Sequence, residues 1–207
     1  SIRHSLTKMS CFHFVAAEEY RKRVIQMGEH PDRVFFVGGL GIDSIVNNKM
    51  ISKEQLEHDY KIDLSKKFLL VTFHSVTLDR ENNIKSLDEL FDAIDHFDDY
   101  NFIFTAPNAD HDNSAITDRI TSFSNKRDNI YFHQSFGQNA YLSLLNEASG
   151  VVGNSSSGLL EAPFFEIGTV NIGDRQKGRI RHESVVDVEN SKQSITDGLN
   201  MILPFCL

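Results

Sequence analysis

A loop rich in small hydroxyl side chains follows the apolar run Gly150-Val151-Val152 and leads into a helical pattern. The loop, residues 153–158, reads Gly-Asn-Ser-Ser-Ser-Gly. Free backbone N–H groups, the start of a helix and several hydroxyls together favour phosphate binding. Serine and asparagine also cap helices without any ligand, so capping is the alternative. Glu161, on the first turns of that helix, is either a surface carboxylate or an acceptor for the two hydroxyls of a ribose.

Basic side chains stand at other positions where a predicted strand ends. His74 directly follows the apolar run 68–73, and Arg175 lies in a basic, glycine-containing loop after the run 169–172. Ligands of open parallel sheets bind beyond the carboxyl ends of the strands. His74, Arg175 and His4 could each neutralise a phosphate or a departing anion, and each could equally be a solvated surface group.

Three motifs that suggest other chemistry fail on their spacing. Ser157 stands where the second glycine of a GxSxG nucleophile elbow would be, which excludes that kind of hydrolase. Glycines 38, 39 and 41 lack the GxGxxG spacing of a dinucleotide site. Residues 110–112, Asp-His-Asp, are adjacent and are better explained as a solvated helix start than as metal ligands. The sequence therefore predicts neither a metal nor a cofactor.

Composition excludes several classes of protein. The chain has 207 residues, of which 40% are hydrophobic, and a net charge of −8. This acidic balance argues against a nucleic-acid partner, and no apolar run approaches the ~20 residues of a membrane span. The two cysteines form no CxxC pair, so neither a disulfide framework nor a thiolate zinc site is indicated. We expect a cytoplasmic location.

Short β-rich runs alternate with amphipathic helical stretches along the chain. Ile84, Leu87, Leu90, Phe91 and Ile94 recur at helical spacing. This alternation predicts an α/β protein with a doubly wound, Rossmann-like parallel sheet. The predicted strands are 12–16, 33–37, 68–73, 101–105, 130–132, 150–152 and 169–172, and the segment 47–57 reads as a polar connector.

The glycine cluster at 38–41 gives the best domain boundary. Residues 1–39 hold too few strand and helix units for a domain of their own, and residues 2–8 resemble the end of a helix. We therefore expect 1–39 to be the trailing segment of an incomplete N-terminal Rossmann-like domain. Residues 40–207 would form the C-terminal domain.

Four stretches of the chain resemble the hydrolysing UDP-N-acetylglucosamine 2-epimerases, which make N-acetylmannosamine for sialic acids and related sugars. They are residues 2–8, 153–158, 161–163 and 171–176, in unbroken order over Ile2 to about Ile202. The non-hydrolysing epimerases carry Asp-Ser-Gly-Gly at the serine loop, which this chain lacks. The resemblance implies the C-terminal, UDP-binding half of a two-domain fold of the glycosyltransferase-B type.

The resemblance also implies roles for individual side chains. Ser155 and Ser156 would hold the diphosphate, and Glu161 would accept from the ribose hydroxyls. Arg175 and Asn108 would contact the nucleotide. The stretch 133–136 would contact uracil, with Gln134 as the main contact. His4 and His74 would line the phosphate side as catalytic groups. The carboxylates that move the proton at sugar C2 belong to the family's N-terminal domain, so we expect the isolated chain to be inactive.

Three functions stay open at this point. The resemblance implies elimination of UDP followed by addition of water, giving the C2-inverted free sugar for sialic-acid or capsule synthesis. A glycosyltransferase using a UDP-sugar donor, and a non-catalytic domain that binds a nucleotide sugar, are the alternatives. In each case a UDP-sugar is the expected partner, and the full-length protein is expected to be a homo-oligomer.

Overall fold

The computed structural model describes residues 2–76, 80–107 and 113–203. Asn108 and the segment 110–112 lie outside these described residues. The chain divides into two compact units, Ser1–Asn47 and Asn48–Leu207. The glycine cluster favours a boundary after Gly39, and the assignment of the two parts to two domains stays a prediction.

The first unit contains a small parallel sheet with helices. Its elements are α1 (Ile2–Met9), β1 (His13–Val15), α2 (Glu18–Gln26), a 3₁₀ turn (Pro31–Arg33), β2 (Val34–Phe36) and α3 (Leu40–Val46). The rings of Phe14 and Phe35 stack with centroids 5.5 Å apart, yet both side chains are exposed. This two-stranded sheet thus leaves an aromatic surface uncovered within its own unit.

The second unit is built on a six-stranded parallel sheet. Its elements are α4 (Lys53–Tyr60), β3 (Phe68–Thr72), α5 (Arg80–Ile94), β4 (Asn101–Thr105), α6 (Asn113–Ser124), β5 (Ile130–His133), α7 (Gly137–Glu147), β6 (Gly150–Gly153), α8 (Ser157–Leu160), a 3₁₀ turn (Ala162–Phe165), β7 (Gly168–Ile172), β8 (Val185–Val188) and α9 (Lys192–Ile202). The strands lie in the order β5-β4-β3-β6-β7-β8, all parallel. This is the doubly wound order, so the predicted α/β, Rossmann-like class is confirmed.

The central strands carry the core of the second unit. Every residue of β3 and β4 is buried, as expected for strands covered by helices on both faces. Leu87, Leu90 and Ile94, predicted to form one face of a helix, are buried on α5 against this sheet. Among the described residues, no helix is both long and apolar enough to cross a bilayer.

Several elements were not predicted, among them α4 and β8. The segment 47–57, read as a connector, contains the start of α4, where the Ser52 side chain caps the helix by accepting from the Gln55 N–H at 3.3 Å. The edge strand β8 has only four residues, most of them half-buried, which gives too weak a pattern to predict a strand. Pairing with β7 supplies the hydrogen bonds that define β8 as a strand.

The winding direction of the sheet changes between β3 and β6, the point at which doubly wound sheets bind their ligands. Gly153 ends β6 there with φ of 130°, and a Cβ at this position would collide with the Thr72 carbonyl oxygen. Glycine is therefore required for the chain to turn from β6 into the serine loop beside β3.

Candidate functional site

Asn154 joins the two strands at this switch point. Its Oδ1 accepts from the His74 N–H at 2.7 Å, and its Nδ2 donates to the His74 carbonyl at 2.9 Å. The Asn154 side chain is only 1% exposed. One amide thus extends the pairing of β3 and β6 beyond their last residues and fixes where His74 leaves the sheet.

The loop after β7 is anchored to the same residue. Arg175 Nη1 donates to the Asn154 carbonyl at 2.9 Å, and Gln176 Nε2 donates to that oxygen at 2.7 Å. A carbonyl oxygen has two lone pairs, so these two donors saturate it. The loop carrying Arg175 is therefore held beside the serine loop by bonds from neighbouring strand ends.

The serine loop forms a compact turn. Ser155 Oγ accepts from the Ser157 N–H at 3.3 Å, and Ser156 is the N-cap residue of α8. The helix that follows is a single turn, α8, continued by a 3₁₀ turn, shorter than the sequence pattern suggested. The helix dipole is correspondingly small, so hydroxyl and backbone N–H donors are the main groups available for an anion.

Glu161 is held by hydroxyl groups rather than lying free on the surface. Ser157 Oγ donates to Glu161 Oε2 at 2.6 Å, one helical turn away. Tyr141 OH, from α7, donates to Ser157 Oγ at 2.8 Å. Burial raises the pKa of Tyr141 to about 12, so Tyr141 remains a proton donor at physiological pH.

Gln134 lies exposed just beyond β5, at the same carboxyl edge of the sheet. The loop that carries it is stiffened by aromatic groups: Tyr60 OH donates to the Phe136 carbonyl at 3.0 Å, and the His133 ring lies edge-on to Tyr60. Burial lowers the pKa of His133, which favours the neutral ring. A fixed backbone next to an exposed amide is suited to reading the edge of a base.

A cleft of about 1030 Å³ opens beside Arg175 at the ends of β7 and β8. Asparagine amides line much of it, among them Asn83, Asn171 and Asn190. Asn171 Nδ2 donates to Asp187 Oδ1 at 2.7 Å, and Asp187 also pairs with Arg181. The cleft lining mixes cations and carboxylates, so an anion there would be held by individual donors such as Arg175 rather than by a net positive charge.

The structure brings most of the predicted site residues to one edge of the second unit. Ser155, Ser156, Glu161, Arg175 and buried His74 all follow the ends of β3, β6 and β7, while Gln134 follows β5. His4 is exposed on α1 of the first unit, and Asn108 lies outside the described residues. The ligand contacts assigned to all of these side chains stay predictions.

Asn154, Gln176, Ser157 and Tyr141 organise this edge without having been singled out. Asn154 and Gln176 lie inside the stretches 153–158 and 171–176, and for Asn154 the usable signal is that it is the first polar residue after a buried strand. Tyr141 gave no local signal because it lies 16 residues before Ser157 on an amphipathic helix. Only the folded chain brings these two hydroxyls together.

Comparison with known proteins places this chain in a family. The family model described as UDP-N-acetylglucosamine 2-epimerase matches residues 1–205. The chain belongs to this family. Among curated 2-epimerase relatives, it is 40% identical over 91% of its length to the GDP/UDP-N,N'-diacetylbacillosamine 2-epimerase (hydrolyzing) of Campylobacter jejuni, covering 50% of that protein. It is 41% identical over 97% of its length to polysialic acid biosynthesis protein P7 of Escherichia coli, covering 51% of it.

Solved structures of 2-epimerases share the fold. The Neisseria meningitidis UDP-GlcNAc 2-epimerase, solved bound to UDP-GlcNAc, superposes with a TM-score of 0.70 at 16% identity. That comparison covers 94% of this chain and 53% of the Neisseria protein. The chain thus spans about half the length of the 2-epimerases it matches.

Proposed function

We propose that this chain forms the UDP-binding part of a hydrolysing UDP-N-acetylglucosamine 2-epimerase that acts on UDP-GlcNAc or a 2,4-diacetamido analogue. The observation that carries the proposal is the match to the family over residues 1–205. Support for the hydrolysing type comes from the name of the Campylobacter jejuni relative, which specifies it. The name of the Escherichia coli relative supports a role in making a polysialic acid or similar capsule sugar.

The site geometry supports nucleotide binding by these residues. Ser155, Ser156 and Arg175 would donate to the diphosphate, whose charge strengthens each hydrogen bond. Glu161 would accept from the ribose hydroxyls, and the loop of Gln134 would contact uracil. Their common position at the carboxyl edge of the sheet matches where doubly wound folds bind nucleotides.

In the proposed reaction, UDP leaves sugar C1 while a proton leaves C2, and water then adds to the resulting glycal. Negative charge builds on the departing UDP, so a fixed donor there stabilises the transition state more than the ground state. We assign that role to His74, and the same role for His4 stays a prediction of the family resemblance. The groups that move the C2 proton would lie in a further part of a longer protein, and the isolated chain would then bind UDP without turning over substrate.

The first unit supports the proposal of a second domain. Phe12, Phe14 and Phe35 are exposed there with their rings in contact, and large apolar patches on soluble proteins usually mark a packing surface. We propose that residues 1–39 belong to an N-terminal Rossmann-like domain whose remainder covers this surface. A cytoplasmic location and a homo-oligomeric full-length protein stay predictions of the sequence.

Titration calorimetry of the chain with UDP tests the binding step. We expect heat of binding for UDP and a much weaker response to ADP, which lacks the uracil edge. Changing Ser155 and Arg175 together to alanine should weaken UDP binding by about 2–4 kcal/mol, because both are expected to bond to a charged group. A folded chain that gives no heat with millimolar UDP would contradict the proposal.

NMR of the full-length protein tests the reaction and its substrate. UDP-GlcNAc and its 2,4-diacetamido-6-deoxy counterpart should be supplied separately, without any acceptor. A hydrolysing epimerase releases UDP and the C2-inverted free sugar, whereas a glycosyltransferase needs an acceptor. His74→Ala should lower kcat by about 10²–10³-fold, the usual effect of losing one such donor, and change KM much less.

A further inference from the structure

A chain of hydroxyl groups leads to Glu161. The Tyr141 hydroxyl donates to Ser157 Oγ at 2.8 Å, and Ser157 Oγ donates to Glu161 Oε2 at 2.6 Å. The side chain of Thr72 lies beside the Tyr141 hydroxyl, and Thr72 Oγ1 lies 2.6 Å from Thr105 Oγ1. Two hydroxyls therefore lead to the carboxylate, starting beside the ends of β3 and β4.

The direction of this chain follows from one proton per hydroxyl. An ionised carboxylate only accepts hydrogen bonds, so Ser157 donates to Glu161 and must accept from Tyr141. The protons of Tyr141 and Ser157 therefore both point towards Glu161. Hydrogen bonds aligned in one direction polarise and strengthen one another.

The hydroxyl chain begins on a second helix, because Tyr141 lies on α7. Beside Tyr141 lie Thr72 and Thr105, the last residues of β3 and β4, which are paired in register and buried. A side chain held by a group on another element keeps its orientation better than one held only by its own loop. Through Ser157, Tyr141 thus helps to orient the Glu161 carboxylate, although Glu161 lies at the end of a single helical turn.

We propose that Tyr141 and Ser157 are positioning residues that aim the Glu161 carboxylate at the vicinal diol of the nucleotide ribose. The inference rests on the proposed function, because it takes a UDP group as the ligand. A carboxylate has about four lone-pair sites, so the bond from Ser157 to Oε2 leaves capacity for two ribose hydroxyls. The same bond limits rotation of the carboxylate about its last torsion.

The experiment compares the dissociation constants of UDP and 2′,3′-dideoxy-UDP for the folded chain. The wild-type chain should bind UDP about 10–100-fold more tightly, the range expected for hydrogen bonds to a charged acceptor. Tyr141→Phe and Ser157→Ala should each weaken UDP binding several-fold and leave the affinity for the dideoxy analogue unchanged. Ser157→Thr, which retains the hydroxyl, should preserve the preference for UDP.

Ser156→Ala is the matched comparison, because the neighbouring serine is proposed to contact the diphosphate. It should weaken both ligands by the same factor. A general loss of structure would also weaken both, so only a loss confined to UDP supports the positioning role. Ser157→Ala provides that measurement even if Tyr141→Phe does not fold, which circular dichroism will show.

Two results would overturn the inference, and they differ. If both variants retain the full preference for UDP over the dideoxy analogue, the positioning role is wrong while UDP binding stands. If the wild-type chain binds neither ligand, the proposed function fails and the inference fails with it.

Discussion

Replacing Asn154 by alanine should destabilise the second unit strongly, because this side chain forms both bonds that join His74 to the serine loop. The change removes bonds of 2.7 and 2.9 Å and deprives the buried His74 backbone of a donor and an acceptor partner. Each buried polar group left unpaired costs about 1–3 kcal/mol. The expected loss is therefore about 2–6 kcal/mol, or roughly 4–24 °C in Tm at about 2–4 °C per kcal/mol for a domain of this size.

Urea unfolding followed by circular dichroism measures this loss, since the chain contains no tryptophan for fluorescence. Asn146→Ala is the control: Asn146 is exposed and its amide bonds only to the neighbouring Glu147 carboxylate among the contacts described. That variant should change the free energy of unfolding by no more than about 0.5 kcal/mol.

Asn154→Asp separates the two bonds of the amide. The aspartate can still accept from the His74 N–H, but its second oxygen then faces the His74 carbonyl, where Nδ2 donated. Protonation of the aspartate would restore a donor to the His74 carbonyl. The loss of unfolding free energy relative to wild type should therefore be smaller at acidic than at neutral pH. The reasoning would be refuted if Asn154→Ala lost less than about 1 kcal/mol or if the Asn154→Asp deficit were the same at both pH values.

Three further predictions follow from the same structure. Gly153→Ala should prevent native folding in expression and melting assays, because the new Cβ would meet the Thr72 carbonyl oxygen. Gly178 also has a positive φ but has no atom within 4 Å of an added Cβ, so Gly178→Ala should lower the free energy of unfolding by only about 1–2 kcal/mol. In an ultraviolet titration, the wild-type chain should show one tyrosine that ionises at about pH 12, and this step should be missing from the Tyr141→Phe variant. Because folding raises the pKa of Tyr141, the stability that its protonated form contributes is present at neutral pH and is lost as pH rises through about 12. In the first unit, a hydrogen bond from Lys8 and a weaker one from His13 lower the pKa of Glu29. The stability that the ionised Glu29 carboxylate contributes is therefore lost on acidification. Glu29→Gln should remove that part of the dependence of the unfolding free energy on acidic pH.

The core of the second unit could be predicted from the sequence. Continuous apolar runs such as Phe68–Thr72 have few ways to bury every side chain other than as central strands of a parallel sheet. The helical spacing of Leu87, Leu90 and Ile94 identified the face of α5 that packs on that sheet. These patterns are local and strongly periodic, and burial of apolar surface reinforces them.

Elements whose identity depends on a distant partner could not be predicted in this way. The edge strand β8 is defined by pairing with β7, and α4 begins at a cap inside a polar segment that has little hydrophobic periodicity. Local composition cannot distinguish such segments from loops, because the hydrogen bonds that stabilise them come from other parts of the chain.

For the candidate site, the sequence by itself determined the residue types and their positions after strands: the serine loop, Glu161, His74 and Arg175. Only the tertiary structure decided how they are held, with Asn154 bridging β3 and β6 and with hydroxyls from distant segments directed at Glu161. The physical reason is that strand order decides which loops become neighbours. In a doubly wound sheet β3 lies beside β6, so residues 80 positions apart, His74 and Asn154, share hydrogen bonds that no local pattern encodes.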